Sequence, residues 1–482
     1  MENDKTLNVI FPNLHFDRDW NITDGSSLWS IFILNNIVET LFRVKNNSDL
    51  GPALASGWTF SDDKKTLTLS LSDKYRFHDG TPITPHDIWG GLKRAFSSRG
   101  KKHSEIEDSL ISKNIEESIE LKDDKIIIRL KTPLNALIYK LSVQEMGIAP
   151  QSYPKEKKGQ DFKEALKNLS GPYRVVEFTQ KKMSVEQSPG HPLLHEKSVP
   201  KADFIQISDI DEGIEYYKKS DNVILIGSSY KDALKYENLE GKKRASTFAL
   251  TEFILPNIRS KNLDTTLKRK ALFSMLKKAF GKVEINDDLA QRTDQIFTKN
   301  NLSRIDENKT SELYEIEKNK GPSLKNPLKL SLLLFDFVKD SPIPFLIKEE
   351  SKKMGLDIEI IAPGNQEVMR RLKKGNYDLM YLYSGVSALD PIVELIYLFS
   401  HPITDFFREG GNALTLLDAA KKETNRTKYI SLLKDIHFEI LKDYKILPLI
   451  HARMIYCAKG DYHLKDLAHF DGGFNLWDWH RK

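Results

Sequence analysis

Leu67, Leu69 and Leu71 alternate with Thr66, Thr68, Ser70 and Ser72, the period-two pattern of a half-buried strand. An extended run Trp58–Ser61 and a polar turn, Asp62-Asp63-Lys64-Lys65, precede it, and the Asp-Gly turn signal of Phe77–Gly80 follows. Thr84-Pro85-His86-Asp87 then reads as a helix start, with Thr as N-cap, Pro at N1 and an acid at N3 reaching back to the cap. Ile88, Trp89, Leu92 and Phe96 recur behind it at helical spacing as one apolar face.

The same patterns predict elements along the rest of the chain. Thr6–Phe11 reads as a buried strand and Ser26–Phe42 as a helix carrying Leu28, Ile31, Leu34, Ile37, Val38 and Leu41. Strands are expected at Lys125–Leu130, Phe204–Ile207, Val223–Ile226 and Phe248–Leu255. Pro133 is expected to start a helix. Thr265–Phe280 is an amphipathic helix with Leu267, Ala271, Leu272, Met275, Leu276 and Phe280 on one face, and its Lys-rich side reads as wet surface. Gln291–Asn326 is polar and poorly periodic, a long surface excursion. From Leu328 the order is strand (to Phe335), helix (Pro344–Met354, stopped by Gly355), strand (Leu356–Ile361) and helix (from Val368 to Gly375), which indicates a parallel α/β lobe. Lys428–Leu441 is a further helix, and Tyr444–His451 a strand.

Composition narrows the function classes. With 482 residues the chain exceeds a single core and implies two or three domains. Apolar content of 40% and aromatic content of 10% are enough to fill those cores, which argues against wholesale disorder. Lys plus Arg (73) nearly balance Asp plus Glu (68) and are interspersed with them, as in KKGQDFKEALK, so no nucleic-acid partner is expected. No apolar run approaches the roughly 18 residues of a membrane span. The single cysteine, Cys457, excludes an internal disulfide and reads as a buried small hydrophobe. His191 and His195 lie four apart, but Pro189, Gly190 and Pro192 break any helix that would present both to a metal, and a solvated loop is expected. HExxH, GxxxxGK[ST], GxSxG and GxGxxG motifs are all missing, which weighs against an enzyme.

One ordered set of residues is more specific. Trp58, Ser61-Asp62-Asp63, the alternating strand Thr66–Leu71 and Phe77-His78-Asp79-Gly80-Thr81-Pro82-Ile83-Thr84-Pro85-His86-Asp87 resemble the signature of the periplasmic peptide-binding family, the dipeptide/oligopeptide/nickel branch (family 5) of ABC-transporter solute-binding proteins. Weaker echoes follow in family order: IVETLFR, Pro133, Ile148-Ala149-Pro150, Ser170-Gly171-Pro172-Tyr173 (with Ser170 where the family has Gly), KMGLDIEI, Tyr444–His451 and Asp466–Trp479.

The resemblance implies an α/β, periplasmic-binding-protein type II-like fold of two lobes and an extra third domain, with the cleft between the lobes. Its order implies residues 1–45, 155–260 and 450–482 as lobe I, 46–154 as the extra small domain and 261–449 as lobe II. Asp24, Gly25, Ser26 and Trp29 are expected near the cleft, although for Trp29 a core position on the helix is an equal reading. Tyr381, Tyr383, Ser384, Gly385, Ser387 and Asp390 align with the family loop that passes through the cleft. Peptide binders carry a Trp and an amine-pairing Asp there, where this chain has Ser384 and Ser387. A hydroxyl cannot neutralise an ammonium, so either Asp24 or Asp390 replaces the acid or the solute is not a conventional peptide. Tyr381 and Tyr383 share a strand face, suiting a sugar, an aromatic or a polar uncharged ligand, or equally packing between domains.

The resemblance further implies a monomeric extracytoplasmic binder that captures a small molecule or short peptide by hinge closure and docks transiently on a membrane ABC permease. No cofactor, metal or catalytic residue is expected. A sensor or regulator taking an oligosaccharide or a metal chelate is the alternative. Because Met1–Thr6 is polar and carries no export leader, the resemblance implies a mature form with an added Met, periplasmic or extracellular and membrane-tethered, while a cytosolic protein stays open on these residues.

Overall fold

In the computed structural model, the residues described are 6–11, 16, 21–22, 28–44, 50–97, 109–112, 114–154, 162–299, 301–314, 328–385, 391–400, 404, 407, 409, 411–460, 462–463 and 475–481. The alternating segment is the strand Thr66–Leu71, with Leu67 and Leu69 fully buried. It sits in a four-stranded antiparallel sheet ordered Ala55–Phe60, Thr66–Leu71, Lys125–Arg129, Ile119–Lys122. The helix Pro85–Ser97 covers this sheet, burying Ile88, Leu92 and Phe96, while Trp89 Nε1 donates to Ile119 O at 2.7 Å.

Its start is a capping box. The Asp87 carboxylate accepts from Thr84 N (2.9 Å) and Thr84 Oγ1 (2.6 Å), and Asp87 N donates back to Thr84 Oγ1 at 3.3 Å. Asp87→Ala is expected to cost about 1 kcal/mol in chemical denaturation. A loss below the error of that measurement would show that the box is not holding the helix.

Among the described residues the main sheet has eleven strands. One half runs, from its edge, Tyr173–Phe178, Lys182–Gln187, Lys201–Gln206, Leu7–Phe11, Val223–Gly227, with Leu7–Phe11 parallel to both of its neighbours. The other half is Leu356–Ile361, Leu328–Leu334, Leu379–Gly385, all parallel, with the helices Pro342–Lys352 and Asn365–Lys374 as crossovers. Gly375 ends the second helix at φ +68°, a left-handed C-cap that needs no Cβ.

Two long antiparallel strands, Lys242–Pro256 and Leu447–Lys459, join the halves. Residues 242–245 pair with 455–458 beside Val223–Gly227, whereas 250–256 pair with Leu379–Gly385. Between these stretches the register shifts, at Ala245/Phe248 and Phe248/Leu250. The irregularity is filled by polar contacts: Met454 N donates to Ser246 Oγ (2.9 Å) and Arg453 Nη1 to Ser246 O (2.7 Å), and the Arg453 guanidinium lies 4.1 Å over the Phe248 ring.

Several expectations are corrected. Among the described residues the first helix is Leu28–Ile37 and does not run on to Phe42, which begins the strand Phe42–Val44. Tertiary contacts end the helix: Gly171 N donates to Ile37 O (3.1 Å), Ser170 Oγ accepts from Glu39 N (2.9 Å), and Ile148 N donates to Glu39 O (2.9 Å). In Thr266–Phe280 the expected face is buried at Leu272, Leu276 and Phe280 but not at the helix start. Leu267 is 66% exposed while Arg269 is buried, its guanidinium donating to Leu263 O and Asp443 O. The expected strand Phe248–Leu255 extends to fifteen residues. Gln291–Asn326 is not all excursion, since Ala290–Arg292 pairs with the long strand and Glu307–Leu313 is helical.

His191 is buried rather than solvated, edge-on to Tyr75 (ring centroids 5.5 Å) and 3.6 Å from Glu39. Glu39 in turn forms an ion pair with Arg43. Cys457 is fully buried in a smaller cluster with Ile10, Leu225 and Tyr236, and burial pushes its thiol up to about 11.

Candidate functional site between the sheet halves

Three segments converge where the halves meet. Val223–Gly227 is buried along its length and delivers Ser228-Ser229 to the short helix Tyr230–Tyr236. Ser229 Oγ caps that helix by accepting from Asp232 N (3.2 Å), and the Asp232 carboxylate accepts from Ser228 N (2.8 Å). On the other half, Leu328–Leu334 runs into Phe335–Ser341, ahead of the helix Pro342–Lys352. The third segment, Leu379–Gly385, lies next to the long strand Lys242–Pro256 and sets Tyr383 opposite Glu252.

Glu252 is the centre of the junction. It is 1% exposed. Its Oε1 accepts from the backbone N of Tyr230 (3.2 Å), on one half, and its Oε2 from the phenol of Tyr381, on the other. The Tyr381 hydroxyl also lies 3.1 Å from Ser341 Oγ. Burial pushes the Glu252 carboxyl up to about 7, against the pull of the Tyr381 phenol and the Tyr230 N–H, and the nearby Asp232 charge adds to the rise.

Two further contacts cross the junction. The Ser228 side chain lies beside the Tyr383 phenol, and Lys231 Nζ pairs with Asp340 Oδ2 at 2.9 Å. Beside them Phe335 and Phe337 stack (5.5 Å), and Phe337 meets Tyr383 edge-on (5.4 Å) while staying 37% exposed. The arrangement can hold two sheet halves together reversibly through hydrogen bonds. It also offers an aromatic ledge and hydroxyls to a molecule placed between them.

The sequence-selected residues have different fates. Tyr381 is fully buried and committed to Glu252, Tyr383 is half-buried, Ser384 is exposed, and Gly385 ends the strand. Trp29 lies on the helix Leu28–Ile37, its side chain outside the described part. Asp24, Gly25, Ser26, Ser387 and Asp390 also lie outside the described residues. Sequence reasoning missed Ser228, Tyr230, Glu252, Phe337 and Ser341. A signal existed for Glu252, a single acid inside the apolar run Leu250–Leu255, because a charge placed there needs partners. Among the described residues no three His, Cys, Asp or Glu side chains gather to hold a metal ion.

Comparison with known proteins supplies the context. Residues 49–405 match the model of "Bacterial extracellular solute-binding proteins, family 5 Middle". A Sinorhizobium fredii protein named "Probable peptide ABC transporter periplasmic-binding protein" is 35% identical over 136 residues, 28% of this chain and 24% of that relative. The match thus spans about a quarter of its length. Among solved structures, NikA from Brucella suis in complex with Fe(III)-EDTA superposes with a TM-score of 0.80 at 16% identity, covering 99% of this chain and 100% of that one. DppA from Helicobacter pylori in complex with the peptide STSA gives 0.77 at 17% identity, covering 99% and 98%.

Proposed function

This chain belongs to family 5 of the bacterial extracellular solute-binding proteins, and from that premise we propose that it captures a peptide or peptide-like solute between its two lobes and passes it to an ABC permease after hinge closure. The family consists of importer binding proteins rather than enzymes. Its relatives are extracytoplasmic, and no described helix is long and apolar enough to cross a membrane.

The observation that carries the reading is the pair of crossing strands. Lys242–Pro256 and Leu447–Lys459 tie the halves together, and the register shift at residues 245–250 is a point where they can bend while pairing at both ends is kept. The boundaries proposed are residues 1–45, 155–260 and 450–482 for lobe I, 46–154 for the small domain and 261–449 for lobe II. Tyr383, Ser384, Gly385, Ser228 and Phe337 are proposed to face the solute, with Asp24, Gly25, Ser26, Trp29, Ser387 and Asp390 completing the site. Tyr381 acts from behind, through Glu252. The protein works as a monomer, periplasmic or extracellular and membrane-tethered.

Ser387 in place of the family's amine-pairing Asp favours a solute whose recognition does not depend on a free α-ammonium. The Phe337–Tyr383 ledge supports a second reading in which the solute is an oligosaccharide or a metal chelate; the NikA relative holds an iron chelate. Native mass spectrometry of freshly purified protein tests both. A retained small molecule, with compaction in X-ray scattering when it is added back to stripped protein, is the expected result, and its mass identifies the class. Catalytic conversion of the retained compound, or an unchanged scattering profile across peptides, glycans and chelates, would end the hinge-binder reading.

A further inference from the structure

We propose that Glu252 is a proton-operated latch, which joins the two lobes as the neutral acid and releases them as the carboxylate. The inference rests on the hinge reading above and adds a control to it. The geometry is that of a bridge. Glu252 is counted with lobe I by the boundaries above but lies past the bend at 245–250, where the strand pairs with Leu379–Gly385 and moves with lobe II, yet one of its oxygens accepts from Tyr230 of lobe I. It lies just past the hinge irregularity, with another register shift at Glu252/Phe253. A rotation of the lobes that pulls Tyr230 away exposes this carboxyl to water.

The groups facing it hold it without neutralising it. From Leu379–Gly385 come the phenols of Tyr381 and Tyr383, and from Tyr230–Tyr236 the Tyr230 N–H and the buried Asp232, an acid of the same sign. From the segment before Pro342 comes Ser341, hydrogen-bonded to the Tyr381 hydroxyl. Lys231 is engaged by Asp340. The strand Leu447–Lys459 sets Ile450 opposite Glu252. The next residue, His451, pairs with Thr251 and is held neutral by burial, its pKa lowered to about 3. No ion pair of Glu252 occurs among the described residues, so water or a proton must supply its compensation.

The direction follows by linkage. Packed between the lobes the carboxyl titrates at about 7, whereas a solvated glutamate has the ordinary value of 4.5. Between these values the closed form holds more protons than the open form. Closure therefore strengthens as pH falls through that window, by at most about tenfold per pH unit, and weakens as pH rises through it. Asp232, also raised by burial, pushes the same way wherever opening exposes it.

The test uses the ligand-free full chain. Infrared difference spectra between pH 5.5 and 8 are expected to show a protonated carboxyl band that titrates near neutrality and is missing in Glu252→Gln. A dye pair on cysteines introduced at the exposed Lys219 and Lys353 is expected to report a shorter interlobe distance at the lower pH, and a short, pH-insensitive one in Glu252→Gln. If the Gln variant does not fold, Tyr381→Phe serves instead. Losing the phenol that favours the carboxylate should move both midpoints upward. A wild-type distance that ignores pH, a band unchanged in Glu252→Gln, or midpoints unmoved in Tyr381→Phe would each overturn the latch. Solute retention in native mass spectrometry alongside any of these outcomes would leave the binding function standing.

Discussion

Arg43→Ala is expected to destabilise the protein by about 3–5 kcal/mol, because it strands a buried carboxylate. Glu39 is 4% exposed, and its partner is the Arg43 guanidinium, itself mostly covered and lying 6.0 Å over the Trp477 ring. Burial raises the Glu39 carboxyl, and Arg43 is the largest influence opposing that rise. The neighbouring His191 cannot take over. Burial, with the charge of Arg43 and the nearby His78 pulling the same way, lowers its imidazole to about 3, so it offers no cation at neutral pH. The deficit of the variant should shrink as pH falls, since a raised acid is relieved by protonation and penalised as pH rises. Arg43→Lys keeps the charge and loses the planar fork, so its cost should be smaller. Guanidinium unfolding of the three proteins decides the matter. A loss under 1 kcal/mol for Arg43→Ala would mean that the pair is solvated in practice.

Gly171→Ala should cost about 3 kcal/mol or more, the upper end for overpacking, because nothing nearby can yield. A Cβ there would stand 2.5 Å from Val38 N and 2.8 Å from Ile37 Cα, both backbone atoms. The same close approach lets Gly171 N cap Ile37 O and sets Gly171 O within 3.0 Å of His78 Nε2. The substitution would therefore loosen the helix end, the Phe77–Gly80 turn and the start of Tyr173–Phe178 together. Gly57→Ala is the control, with nothing within 4 Å of its Cβ, and should stay within about 0.5 kcal/mol. Equal effects of the two would show that the helix end shifts freely.

What was legible in the chain follows physical range. Thr66–Leu71 and the Thr84–Asp87 start are local patterns, satisfied by residues within a turn or a strand, and both stand in the fold as read. The parallel order from Leu328 to Gly375 was equally local, including its glycine stops. The end of the first helix was not, because Gly171, Ser170 and Ile148 terminate it from more than a hundred residues away. Leu267 misled for a similar reason: one residue into a helix, its direction is set by what packs behind Arg269 and Leu272 rather than by spacing. At the site, Tyr381 and Tyr383 were found through the family pattern. Tyr381 and Glu252 stand 129 residues apart in sequence, and nothing in either local run announces the bond between them. Ser228 and Phe337 were hidden likewise, because the Tyr383 they flank is remote from both in the sequence.

The long strand Leu447–Lys459 has a consequence for how the chain acquires its structure. It is the neighbour of Val223–Gly227 and of residues 242–245, so the half that begins with Leu7–Phe11 lacks its closing strand until synthesis has passed Lys459. Such distant pairings incur a large loop-closure entropy and form slowly. A nascent chain of this kind emerges from the ribosome with its main sheet unsealed, and only once Lys459 has emerged does it hold the strand that completes this core.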